Sequence, residues 1–203
     1  MRVLFCLCRV ARFLVLAWSL GFFDWRYTPL GRAVSRGDVD AVRYLLHEGA
    51  NVHVSSVLGP VGLLGFKSPL FTSALLNHAH ITLELLLAGA DPIVGMQLGP
   101  FGCMAEWSPL YIATLKDHPL CVARLLDAGA DAERGVTYLY FLHDTPLEAA
   151  MRYDRAVLVR LLDFFTSPAI LLQAHARAEA MANYGPHSNR TWGLWAMAGE
   201  RWE

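Results

Sequence analysis

Apolar positions along the chain fall at helical spacing and then break at regular intervals. Val39, Val42, Leu45 and Leu46 recur in steps of three and four, the period of an amphipathic helix. The leucine pair returns as Leu85-Leu86 and Leu125-Leu126. Four triplets punctuate these segments: Thr28-Pro29-Leu30, Ser68-Pro69-Leu70, Ser108-Pro109-Leu110 and Thr145-Pro146-Leu147. They stand 40, 40 and 37 residues apart, and the first three are each followed, 21 residues on, by Gly-Ala-Asn or Gly-Ala-Asp. These closing triplets start at Gly49, Gly89 and Gly129.

Each element has a physical role. Ser or Thr before Pro predicts an N-cap and first helical residue, since the missing proline N–H costs nothing there. The leucine behind it points into a core. Ala33, Ala74 and Ala113 are small enough to let neighbouring helices approach. Gly37, Asn77 and Asp117 suit the left-handed conformation that ends a first helix, and the later glycines end a second one. The prediction is a repeated pair of short antiparallel helices, joined to the next pair by a hairpin-like excursion.

This pattern resembles the ankyrin repeat, whose Thr-Pro-Leu-His opening and Gly-Ala-Asp close it matches in phase over about residues 28–165. The resemblance implies an all-α, ankyrin-like solenoid of stacked helix-turn-helix units with extended fingers. The expected units are 28–67, 68–107, 108–144 and 145–165, followed by a helical extension and Trp-rich tail at 166–203. In this chain Gly31, Phe71, Tyr111 and Glu148 replace the family's His, so stability is expected to rest on packing more than on a Thr–His network. The fourth unit lacks Gly-Ala-Asp and reads as a terminal repeat.

The first 27 residues admit competing readings. Arg2, Arg9 and Arg12 before the apolar run at 13–23 look like a signal or anchor, although the run is short for a bilayer span. Val10-Ala11-Arg12-Phe13-Leu14 also matches Val122-Ala123-Arg124-Leu125-Leu126, as a degenerate leading repeat would. An incorrect start of the sequence is a third account.

Composition changes the picture in one respect. Hydrophobic residues make up 55% and charged residues 17% of the 203, against about 25% charged in a typical domain. Such a ratio leaves apolar surface exposed, the mark of a partner site; a poorly soluble fragment is the bland alternative. The net charge of −1 leaves no footprint for nucleic acid. Arg36, Arg43, Lys67, Lys116 and Arg124 look scattered over solvated helix faces.

Candidate chemistry is sparse. Cys6, Cys8, Cys103 and Cys121 show no zinc or redox spacing and read as free thiols in a reducing compartment. His78 and His118 occupy equivalent turns, but units about 10 Å apart are too far for two ligands at roughly 2 Å each. Asp144 and Glu148 flank Thr145 as helix N-terminal charge compensation would. Asn189-Arg190-Thr191 is a formal glycosylation sequon, read as chance. No catalytic, cofactor or metal residues are assigned, and the chain is expected not to be an enzyme.

Recognition of another protein remains. The connections at 52–67, 92–107 and 132–144 hold 16, 16 and 13 residues, longer than the family's fingers. Leu58, Pro60, Phe66, Leu98, Pro100, Trp107, Tyr138 and Tyr140 on them are the candidate partner-binding residues. Half of the finger residues are expected to pack on one another, leaving the tips, Trp107, Tyr138 and Tyr140 to the partner. The expected setting is cytoplasmic or nuclear, with a membrane-anchored or secreted protein as the alternative. The resemblance implies an adaptor, inhibitor or substrate-receptor role without choosing among them.

Overall fold

The computed structural model describes residues 25–58, 65–99, 105–138 and 142–168, together with 171–172 and 174–175. Each Ser/Thr-Pro-Leu triplet opens a helix: α1 (Pro29–Arg36), α3 (Pro69–Leu75), α5 (Pro109–Leu115) and α7 (Pro146–Arg152). Each is followed by a second helix: α2 (Val39–His47), α4 (Ala79–Leu87), α6 (Pro119–Asp127) and α8 (Ala156–Phe165). Between the two helices Gly37, Asn77, Asp117 and Asp154 take φ of 74°, 59°, 62° and 54°. Residues with short polar side chains, or none, tolerate that left-handed turn.

The cap hydroxyls do more than start helices. Those of Thr28, Ser68 and Ser108 each accept the N–H of the residue three on, at 3.0 Å. The same hydroxyls donate forward to the carbonyls of Val54, Val94 and Arg134, at 3.1, 2.7 and 2.6 Å. The backbone N–H groups of these three residues donate to Ser55, Gly95 and Gly135. One residue thus fastens its own helix and the base of the next finger, so hydrogen bonding between units persists without the family's His. At Thr145 the arrangement changes: Glu148 Oε2 accepts the Thr145 N–H at 3.2 Å, and Thr145 Oγ1 accepts that of Glu148 at 3.2 Å. This capping box supplies from within the helix the acceptor that a following finger supplies upstream.

First helices pack on first helices and second on second, giving two helical layers. The triplet leucines Leu30, Leu70, Leu110 and Leu147 are at most 1% exposed and line the shared core. The second layer contributes Val42, Leu85, Leu125 and Leu162, all fully buried. The small position of α3 is Ser73 rather than Ala74, since Ser73 stands 40 residues after Ala33 and 40 before Ala113. Beyond α8, Leu171 and Ala174 lie against the same core.

The expectation of an all-α fold is corrected by a third layer. Seven three-residue strands form one antiparallel sheet in chain order: β1 (Trp25–Tyr27), β2 (Ser56–Leu58), β3 (Gly65–Lys67), β4 (Met96–Leu98), β5 (Ala105–Trp107), β6 (Val136–Tyr138) and β7 (Leu142–Asp144). Hairpins β2–β3, β4–β5 and β6–β7 are the fingers, and β1–β2, β3–β4 and β5–β6 join one finger to the next. A hairpin leaves open N–H and C=O edges that must find partners. Fingers of matching length on a 40-residue period bring those edges together.

Residues 1–24, including the Val10–Leu14 match, lie outside the described residues, as do Cys6, Cys8, Cys103 and the tail from 176 onward with its tryptophans. Cys121 is a buried thiol, and burial raises its pKa.

Candidate functional site

The sheet arranges its residues in three cross-strand rows. The base row runs Tyr27, Ser56, Lys67, Met96, Trp107, Val136 and Asp144. The middle row is Arg26, Val57, Phe66, Gln97, Glu106, Thr137 and His143, and the outer row continues from Trp25 through Leu98 and Tyr138 to Leu142. Directly opposed residues share a face and successive residues alternate, so base and outer rows face one way and the middle row the other. The base-row face lies against the first helices, because Trp107, Tyr138 and Val136 cluster with Tyr111 of α5 and Ala149 of α7.

This register divides the candidate residues. Trp107, Leu98 and Tyr138 stand on the helix-facing side, with the backbone of Leu58 in the same outer row. Phe66 stands on the opposite side. Pro60, Pro100 and Tyr140 lie outside the described residues. Trp107 and Tyr138 spend part of their surface on each other: their rings meet edge-to-face at 5.9 Å, as do those of Trp107 and Tyr111. Such pairs add about 0.5–1.5 kcal/mol beyond area burial. The Trp107 indole Nε1 is buried and has no acceptor among the described residues.

Beneath the rings lies an ionic cluster. Tyr111 donates its hydroxyl to Asp144 Oδ2 at 2.7 Å, and Arg152 forks the same carboxylate at 2.9 and 2.8 Å. Asp144 is therefore held by a guanidinium and a phenol, and not by the helix N-terminus it precedes. Burial and then the Asp144 charge raise the pKa of Tyr111, and the same two causes push Tyr138 up to about 12. Burial pulls the Arg152 pKa down, but its hydrogen bonds and charge pairing with Asp144 reverse this and leave it raised. The tight base of this finger needs Gly135, where an added Cβ would stand 1.8 Å from the Asp144 carbonyl oxygen.

Lys67 was expected on a solvated helix face and instead sits half-buried in the base row, between Ser56 and Met96. Burial pulls its pKa down to about 8. Two other cations have defined partners elsewhere: Arg43 pairs with Glu84 at 2.6 Å, and Arg124 donates to the Ala79 carbonyl. A phase signal in the sequence marks this row, since Tyr27, Lys67, Trp107 and Asp144 each immediately precede a Ser/Thr-Pro-Leu triplet. Met96, Tyr111 and Leu115 join the face only through packing.

The histidines serve the stack. His118 Nδ1 lies 2.8 Å from the Ala74 carbonyl oxygen, which can only accept, so that nitrogen carries the proton. The His78 ring packs over Gly37. Among the described residues no three His, Cys, Asp or Glu side chains are grouped to hold a metal, and no helix is long and apolar enough to cross a membrane.

Residues 25–56 match the family model described as Ankyrin repeat, a stretch from the start of β1 through α1 and α2 to the first residue of β2. No curated protein matches the chain.

Proposed function

With an ankyrin repeat at residues 25–56, we propose that this protein is a non-catalytic recognition module, an adaptor or scaffold that binds another protein across its fingers and first helices. Repeats of this family generally mediate contacts between proteins. Units at 28–67, 68–107, 108–144 and 145–165 present the surface, with 1–27 as a degenerate leading repeat and 166–203 as an extension. The setting is cytoplasmic. The observation that carries this reading is the half-buried Met96–Trp107 pair with Leu98 and Tyr138 on one sheet face. Apolar and aromatic side chains with few charges are the composition of an interface core.

Proximity labelling in the native cell with the full chain tests the proposal. Leu98→Ser with Tyr138→Ser should remove a specific set of labelled neighbours, whereas Leu120→Ser on the outer α6 should not. Identical neighbours for all three chains, each folded by circular dichroism, would remove the finger face from recognition.

A further inference from the structure

Charge is segregated between the two helical layers. The first helices α1, α3 and α5 contain no acidic residue, and α7 contains only Glu148, buried in its own cap. Cations on this layer are Arg32 and Arg36 of α1, Lys116 at the end of α5, and Arg152, which is committed to Asp144. Acids gather on the second layer and its turns instead: Asp40, Glu84, Asp127 and Asp163 lie on α2, α4, α6 and α8, one on each. A chain whose net charge is only −1 thus turns a cationic layer toward the finger sheet.

The sheet continues the pattern. On its helix-facing side the base row holds one cation, Lys67, and one acid, Asp144, whose oxygens are taken by Arg152 and Tyr111. The sheet's other described carboxylate, Glu106, stands in the middle row on the far side, where it pairs with Arg134 at 2.6 Å. Next to Lys67 the row becomes apolar through Met96 and Trp107, with Leu115 half-buried on α5 behind them.

We propose that the angle between the finger sheet and the first helices is a docking groove for a peptide segment that is both acidic and apolar. Lys67 takes a carboxylate of that segment, Met96, Trp107 and Leu115 cover its neighbouring apolar side chains, and Arg36 and Lys116 attract it from the exposed rim. This occupant follows from charge complementarity: the groove offers cations beside apolar surface, and its own acid is already paired. An anion entering beside a half-buried ammonium restores the charged form that burial penalises. Basic or purely apolar segments lack that compensation and are disfavoured. The inference rests on the finger face being a recognition surface and adds the chemistry of what it recognises.

Selection of a random peptide phage library on the immobilised full chain, followed by fluorescence anisotropy with the consensus peptide, tests it. Enriched sequences should place Asp or Glu within a few residues of an aromatic or large aliphatic side chain. Lys67→Met, which keeps the apolar stem, should weaken the consensus peptide about 10-fold, and Lys67→Glu further, with affinity falling as salt rises. Arg43→Met on the outer layer should change nothing. Enriched peptides without acid, or equal binding by Lys67→Met, would overturn the acidic chemistry while leaving finger-face recognition standing. Peptides that bind but are lost in Leu120→Ser and kept in Tyr138→Ser would overturn both. Self-association abolished by Lys67→Glu, with no peptide enriched, would put a second copy in the groove and overturn the peptide.

Discussion

The hydroxyl of Ser73 lies 3.0 Å from that of Thr82, both buried, and the pair stands where the flanking units hold Ala with Val. Ala33 with Val42 and Ala113 with Val122 occupy the equivalent places. The two hydroxyls also donate to the carbonyls of Leu70 and His78, at 2.9 and 3.1 Å. Two polar residues in one unit of an apolar core thus satisfy each other. Ser73→Ala or Thr82→Val alone should cost about 1 kcal/mol, because each leaves the remaining hydroxyl without its side-chain partner. The double change should cost less than the sum by about 0.5–1 kcal/mol, as coupled neighbours do. Urea melts of the four chains measure this coupling, and strict additivity would show that the contact contributes nothing.

Ser68 must accept and donate at once, so a good cap elsewhere should fail here. Ser68→Ala should cost about 1–3 kcal/mol by losing the α3 cap and the bond to Val94. Ser68→Asp keeps an acceptor for Phe71 N–H but turns a carboxylate toward the Val94 carbonyl, now 2.7 Å from the hydroxyl. It should be no better than alanine, while Ser68→Thr should be near wild type. Thermal denaturation ranks the three.

Lys67 should make stability rise with alkaline pH. Its folded pKa of about 8 lies below the ordinary 10.5, so between those values the unfolded chain holds a proton that the folded one has released. Stability then climbs from pH 8 towards 10.5, and the burial penalty is fully present below 8. Lys67→Met should therefore stabilise the protein at pH 7 by about 1 kcal/mol, allowing for partial solvent screening of the ammonium. The advantage should shrink as pH approaches 10. Paired denaturant titrations at pH 7 and pH 10 check it, and a constant difference would contradict the sign.

The Asp144 cluster predicts unequal losses. Arg152→Met strands a largely buried carboxylate and should cost about 3 kcal/mol, while Tyr111→Phe, which leaves the guanidinium in place, should cost about 1.5 kcal/mol. Calorimetry on both variants separates them. Equal losses would mean that the phenol matters as much as the charge.

Much of this was legible from the residues. The caps at Thr28, Ser68, Ser108 and Thr145, and the left-handed turns at Gly37, Asn77 and Asp117, depend on chemistry within a few residues of each position. The finger face was legible only in part. Trp107 and Tyr138 were picked out by type, but nothing local says that they meet Tyr111, or that Phe66 points away from them. Lys67 looked like any surface cation because its burial comes from strands and helices contributed by two units.

By itself the sequence determined the repeat: its period, its helix starts and stops, its core leucines and its elongated fingers. These are set by local propensity and hydrophobic spacing, which act over a few residues. Only the tertiary structure decided that the fingers join into one sheet, which face each side chain takes, and which charges are buried. Strand register is settled between backbone edges some 30 residues apart in the chain (Gly65 opposite Leu98), and a slip of one residue would exchange the Trp107 face for the Phe66 face.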